Sequence, residues 1–279
     1  MIPKRICAVY FSPNGTTEKV VSTIAKEISL CFGVVTDNFD FTRAKDRMTP
    51  LTFYENDLII FGVPVYAGRV PNLLLKFIKS TQAEKGCLVV PIVLFGNRSY
   101  DNALLELSDL LEECGMQTIA AGAYVGQHAF SNKIAQGRPN QDDINEIQDF
   151  GRKIAAKAYY TQDSTGTDTA IDIKGEPGPH YGGYFKPLNP KDNTPIDIRK
   201  AKPVTSDACI ACGICAENGS MGSINHSNPK EVIGICIKCG ACINHCPISA
   251  KSFIDQGYLT HKEDLEHKLS TACENETFI

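Results

Sequence analysis

The chain has 279 residues, 43% hydrophobic and 22% charged, enough for two domains that each bury a core. Its 32 acidic and 28 basic residues leave a formal net charge of -4, which argues against nucleic acid or an anionic membrane as the main partner. No apolar run is long enough to cross a bilayer and the opening MIPKRICAVYF is too short for a signal peptide, so a cytoplasmic protein is expected.

In chain order, residues 1–162 alternate short apolar runs with longer amphipathic stretches. Strands are predicted at Ile6–Phe11, Val34–Phe39, Leu58–Gly62, Cys87–Leu94 and Thr118–Val125. Helices are predicted around Thr16–Leu30, Pro71–Lys79, Asp101–Cys114 and Asp142–Tyr160. Apolar strands alternating with helices predict an α/β doubly wound parallel sheet, and the spacing suits the order 2-1-3-4-5. Residues 163–205 carry Gly, Pro and Asn without any period and read as a linker, mobile or laid against both neighbours. A cysteine-rich block follows at 206–255, and the tail, 256–279, holds one plausible helix, HKEDLEHKLS.

Strand one ends in FSPNGTTEKV, where Ser12, Asn14, Thr16 and Thr17 surround Gly15 directly before a helix. Such a loop can aim N–H groups and hydroxyls at a phosphate, with the helix N-terminus adding positive potential. It can equally be a helix cap with a tight turn. It is not a P-loop, because GxxxxGK[ST] is absent. Two further loops, GVPVYAGRVP (62–71) and FGNRSYDNAL (95–104), follow strands three and four. Both fall at strand carboxyl ends, where open α/β sheets bind ligands, and each brings one aromatic residue. A flat isoalloxazine needs such walls and backbone hydrogen bonds at its edge. The three loops together favour a flavin.

On these residues, 1–162 resembles flavodoxin. SPNGTT resembles the phosphate signature [ST]-x-T-G-x-T, with Asn14 in place of the usual Thr. The resemblance implies FMN, with Ser12, Asn14, Gly15, Thr16 and Thr17 around its phosphate and Tyr66 and Tyr100 beside its ring. The two ring loops would contribute Pro64, Val65, Tyr66, Ala67 and Gly68, and Gly96, Asn97, Tyr100 and Asp101. The chain has no Trp to stack on the flavin. His128 could approach the ring or be a hydrogen-bonded loop residue.

Of twelve cysteines, seven fall between Cys209 and Cys246. Clustering of this kind in a reducing compartment points to metal rather than disulfides. Cys236, Cys239, Cys242 and Cys246, with Pro247 following, match the bacterial ferredoxin run C-x2-C-x2-C-x3-C-P; structural zinc sites use paired C-x2-C spacings instead. The first motif keeps Cys209, Cys212 and Cys215 but has Gly219 where the fourth cysteine belongs. In two-cluster ferredoxins the fourth cysteine of one motif serves the other cluster. Crossing gives one complete [4Fe–4S] site of Cys209, Cys212, Cys215 and Cys246. It also gives one three-cysteine site of Cys236, Cys239 and Cys242, either [4Fe–4S] with a non-cysteine ligand or [3Fe–4S]. Glu217, Asn218, Ser220, His226, solvent or Cys273 could complete it. Cys7 and Cys87 read as core residues, and Cys31 and Cys114 as helix ends.

The whole chain is similar to the fused flavodoxin–ferredoxin proteins of anaerobes, with a small α+β ferredoxin-like second domain. The resemblance implies electron transfer between FMN and iron–sulfur clusters, and unnamed redox partner proteins as donor and acceptor. A flavin-dependent reductase of a small molecule and a redox sensor are the alternatives. No G-x-G-x-x-G follows any strand, so a built-in nicotinamide site is not expected.

Overall fold

The structure is a computed structural model and describes residues 2–161, 171–176 and 181–279. Its central sheet contains β1 (Arg5–Tyr10), β2 (Thr36–Asp40), β3 (Asp57–Pro64), β4 (Leu88–Phe95), β5 (Ala121–Val125) and β6 (Glu276–Phe278), in the spatial order β2-β1-β3-β4-β5-β6. The first five run parallel, with Ile6 opposite Leu58 and Ile60 opposite Val90. The two-residue strand Gln117–Thr118 adds to β4. The order 2-1-3-4-5 is therefore present, and the edge beyond β5 is covered by β6 from the far end of the chain. β6 is antiparallel to β5, with Thr277 opposite Gly122.

Strands buried on both faces need near-continuous apolar sequence, and β3 and β4 (DLIIFGVP and LVVPIVLF) supply it. Alternate residues feed opposite faces. Cys7, Val9, Ile59 and Phe61 join one cluster, while Ile6, Ala8, Leu58 and Ile60 join the other. On the second face lie α1 (Thr16–Phe32) and, later in the chain, a helix at Gln141–Thr161; α2 (Ala103–Glu113) covers the first face. That later helix is α3. Val20, Val21, Ile24, Ala25 and Ile28 form the buried stripe of α1, which ends at Gly33 in the left-handed region, its N–H on Ser29 O.

Three segments differ from the sequence reading. The Pro71–Lys79 stretch is a 3-10 turn at Asn72–Leu74 followed by one α-turn at Leu75–Ile78, too short to show a full apolar stripe. The tail helix, α4 (Gln256–Lys268), begins earlier than HKEDLEHKLS, because Asp255 caps it by accepting the Tyr258 N–H. The three residues of β6 carry no alternation long enough to announce a strand. Cys7 and Cys87 are buried core residues, and burial pushes their thiols up to about 12 and about 11.

The cysteine-rich block is internally two-fold. Cys209, Cys212 and Cys215 recur as Cys236, Cys239 and Cys242, 27 residues on. The backbone repeats with them. Ala211 and Lys238 both have positive φ, as do Gly213 and Gly240, and Gly222 and Ser249. One-turn helices follow at Ile214–Glu217 and Ala241–Asn244. The Thr205–Lys251 pairing is matched by the Ile224–Val232 bridge. The same correspondence puts Gly219 opposite Cys246: Gly219 N bonds to Ala216 O as Cys246 N bonds to Ile243 O.

Candidate functional site

The loops after β1, β3 and β4 lie at the carboxyl end of the sheet. In the first, Ser12 N donates to Thr42 Oγ1 at 2.8 Å and Ser12 Oγ accepts the Glu18 N–H at 2.9 Å. Gly15 takes φ 80° as the residue entering α1, a conformation that favours glycine, and Ser12 Oγ caps the third helical N–H, that of Glu18. Thr17 is buried beneath the turn. Among the described residues no group accepts the N–H of Asn14, Thr16 or Thr17. Free donors at the start of a 17-residue helix fit an anion, and because the loop carries no basic side chain the N–H dipoles would supply the positive potential.

The Asn14 side chain is committed elsewhere. Its Nδ2 donates to Cys239 O at 2.7 Å, and its Oδ1 accepts from Asn244 Nδ2 at 2.9 Å. Arg47, from the loop after β2, donates to Ser220 O at 2.6 Å. The loop after β5 brings Ala129 O close against Gly240, so that a Cβ there would sit 2.7 Å away. The second cysteine motif is thus seated on the loops after β1 and β5, and Ser220 on the loop after β2.

The β3 loop turns back on itself through Ala67 and Gly68, both at positive φ, with Tyr66 N on Arg69 O at 2.9 Å and Arg69 N on Tyr66 O at 3.2 Å. Arg69 is buried and donates through two nitrogens to Glu106, both at 2.7 Å, while its guanidinium lies 4.9 Å from the ring centres of Tyr181 and Tyr184. Phe185 N donates to Ala67 O at 2.8 Å. The described part of the linker therefore lies along the β3 loop. Burial pushes the Tyr66 phenol well above its ordinary value, and the nearby Cys239 and Cys236 thiols add to the shift. Val65 N bonds Leu94 O at 2.7 Å, and Pro64 closes β3.

The β4 loop is divided between two tasks. Asp101 packs against Gly68 and pairs with Arg98, joining the β3 and β4 loops. Asn97 and Tyr100 face the C-terminal segment instead. Asn97 Nδ2 donates to Leu269 O and Thr271 O at 3.1 and 2.8 Å, and Tyr100 OH donates to Glu276 at 2.8 Å with its ring against Phe95. Their side chains are held in this latch, so of the two predicted ring tyrosines only Tyr66 lies beside the cysteine unit. Gly96 is crossed by the His128 ring; a Cβ would lie 2.4 Å from it. His128 Nδ1 accepts the Phe130 N–H at 3.0 Å, and burial lowers its pKa to about 4, so it is the hydrogen-bonded loop histidine.

Cys209, Cys212, Cys215 and Cys246 line one cavity together with Pro229, Pro247 and Lys251. Cys246 Sγ accepts the Ala250 N–H at 3.2 Å; burial raises this thiol, but the N–H groups of Ile248, Ala250 and Lys251 outweigh it and lower its pKa. Burial raises Cys215 and Cys239, and takes Cys242 to about 12. Ser220 Oγ lies 3.4 Å from Cys239 Sγ. Glu217 and His226 are exposed, and the Cys273 thiol donates to Asn97 O at 3.2 Å, in the flavodoxin-side latch. Among the described residues no three His, Cys, Asp or Glu side chains converge closely enough to hold a single metal ion.

A family model described as a flavodoxin domain matches residues 7–95. The N-terminal half has a flavodoxin-like fold. Among solved structures, this flavodoxin-like chain is similar to a flavodoxin of Streptococcus pneumoniae TIGR4, at 19% identity and TM-score 0.40, covering 55% of this chain and 99% of that one. It is similar to a flavodoxin from the domain Archaea at 15% identity and TM-score 0.41, covering 56% and 99%. It is also similar to the rubredoxin oxygen:oxidoreductase of the anaerobe Desulfovibrio gigas at 14% identity and TM-score 0.41, covering 58% of this chain and 37% of that one. No curated protein matches. Among the described residues no helix is long and apolar enough to cross a membrane.

Sequence reading missed the contacts that join the halves. Asn14 draws notice only as a departure from the phosphate signature, and Arg47 and Ala129 carry no motif at all.

Proposed function

We propose that the chain is an electron-transfer protein that holds FMN at the loops after β1, β3 and β4 and iron–sulfur clusters at its two cysteine sets. The single observation that supports this most is the seating of the second cysteine motif on the flavodoxin-like loops, through the 2.7 Å bond from Asn14 to Cys239 O. The flavin would supply two-electron exchange and the clusters one-electron exchange.

Each residue has a share in the arrangement. The free N–H groups of Asn14, Thr16 and Thr17 and the Thr17 hydroxyl would bind the phosphate, with Ser12 setting the turn. Pro64 to Gly68 would flank the ring, and Asp101 would fix Gly68 against the second loop. Cys236, Cys239 and Cys242 form the set nearer the flavin, with Tyr66 excluding water beside them. Cys209, Cys212, Cys215 and Cys246 form the outer set. Cys212 is exposed there, and Ile210 and Ile248 beside it are 65% and 39% exposed, a face for a redox partner.

The test is anaerobic purification with analysis of released flavin, iron and acid-labile sulfide, followed by an EPR-monitored titration. FMN with sulfide-bearing iron, and a cluster signal broadened when the flavin is reduced by one electron, is the expected result. FAD, or iron without sulfide, would overturn the reading. Thr17→Val should weaken FMN by about 1.5–3 kcal/mol, the worth of a hydrogen bond to a charged group, read as a rise in the dissociation constant.

A further inference from the structure

Lys251 is 3% exposed, yet among the described residues no carboxylate lies within ion-pair range of it. Its Nζ donates to Pro229 O at 2.5 Å, and its side chain lines the cavity of Cys209, Cys212, Cys215 and Cys246. An ammonium taken out of water costs several kcal/mol unless something negative faces it. The groups that face it are the thiols of this cavity.

The internal two-fold sharpens the point. The residue that corresponds to Lys251, 27 positions earlier, is Ile224, which is buried in a small apolar cluster with Cys215 and Ala216. Two environments built on the same backbone therefore differ by one buried positive charge. We propose that Lys251 is the internal counter-ion of the four-cysteine cluster and raises its reduction potential, an inference that rests on the iron–sulfur reading above. A cluster bound by four thiolates is net negative and gains one further negative charge on reduction. A fixed cation therefore favours the reduced form over the oxidised one. One electron enters from a low-potential one-electron donor, and Lys251 neither forms a bond nor gives up a proton. Its effect should be largest on the cluster whose cavity it lines and smaller on the one that includes Cys242.

The experiment is an anaerobic redox titration of the full chain by EPR, comparing the unmodified protein with Lys251→Gln and Lys251→Arg. In Lys251→Gln the reduced-to-oxidised ratio of the four-cysteine cluster at fixed potential should fall about tenfold, a downward midpoint shift of about 59 mV for one electron, with a smaller shift at the other cluster. Lys251→Arg should keep the midpoint close to that of the unmodified protein. Midpoints unchanged in a cluster-bearing Lys251→Gln protein would overturn the proposal. If Lys251→Gln assembles no cluster, Lys251→Arg decides: an intact cluster there supports a need for charge, and loss there too overturns it. An unmodified chain that binds no iron and sulfide overturns the underlying reading, which the iron and sulfide analysis separates from failure of this one.

Discussion

In the flavodoxin-like half, Ile6, Val9, Ile24, Ile60, Val89, Tyr124 and Ile154 are all fully buried, and two contiguous clusters cover both faces of the sheet. In the cysteine-rich unit the corresponding clusters shrink to Ala201, Phe253 and Tyr258, and to Cys215, Ala216 and Ile224. The first region buries enough apolar surface to fold on hydrophobic burial. The second does not, and small units of this kind are held by metal or disulfides. Its twelve-cysteine chain has only free thiols, so on our reading the clusters are its cross-links.

The largest expected effect tests that difference directly. Stripping iron with a chelator under mild conditions should abolish order in residues 206–255 while leaving the sheet intact. Limited proteolysis with mass analysis should then cut between Cys209 and Cys246 and spare β1 to β5. Equal resistance of the cysteine-rich unit before and after iron removal would contradict its dependence on metal.

The next effect belongs to the other half. Glu106 and Arg69 are 2% and 6% exposed and bonded through two nitrogens, and Glu106 also accepts the Val70 N–H at 2.8 Å. Removing the carboxylate in Glu106→Ala leaves a buried guanidinium facing Tyr181 and Tyr184. It should cost about 3–5 kcal/mol in the denaturant transition of the flavodoxin-like half. A loss below about 1 kcal/mol would show that water replaces the carboxylate. The same variant should leave the cysteine-rich unit's sensitivity to chelation unchanged.

Acid should also act on the flavodoxin-like half through His128. Its pKa is about 4 when folded, against an ordinary value of 6.5, because burial disfavours the charged ring. The unfolded chain therefore binds more protons between these values. Stability should be fully present above about 6.5 and fall as the pH drops towards 4, by about 2–4 kcal/mol for this one group. Burial lowers His261 in the same sense. His128→Phe should flatten the slope of stability against pH in this window, even if the ring change shifts the absolute value. An unaltered slope would place the acid sensitivity elsewhere.

Much of this architecture was legible before the structure. Continuous apolar runs such as LVVPIVLF announce two-sided burial, and the strand order follows from the spacing of the helices between them. The cysteine spacing leads to an expectation of crossed ligation, and Cys209, Cys212, Cys215 and Cys246 line one cavity. What stayed hidden were contacts of high sequence separation between polar side chains and backbone groups. Asn97 reaches Thr271, Tyr100 reaches Glu276 and Asn14 reaches Cys239, and no periodicity marks such pairs. Tyr100 is an example: a loop aromatic at a strand end draws notice for its ring, and nothing in the sequence tells that a distant glutamate takes its hydroxyl. Lys251 was invisible for a related reason, since a lysine after a cysteine motif reads as surface until burial is known.

The smallest expected effect lies where the two regions meet. Asn14 contributes two hydrogen bonds to the cysteine-rich unit, at 2.7 Å to Cys239 O and at 2.9 Å from Asn244. Both are neutral and partly exposed to water, so each should be worth only about 0.5–1.5 kcal/mol. On the proposed reading Asn14→Ala should therefore leave both halves folded and both cofactor sets in place, because the N–H of residue 14 that would face the phosphate is unaltered. What it removes is the strut between the loop after β1 and the second cysteine motif. Hydrogen exchange should quicken at Gly240 to Asn244 and around Gly15, by less than about tenfold, while exchange in β3 and β4 stays as it was. Electron transfer between flavin and cluster, followed by flash reduction of the flavin, should slow or become heterogeneous. A variant with unchanged exchange and an unchanged transfer rate would mean that Arg47 on Ser220 and Ala129 against Gly240 suffice to seat the unit. Arg47→Ala in the Asn14→Ala background would then reveal the shared burden as a loss larger than the sum of the two single changes.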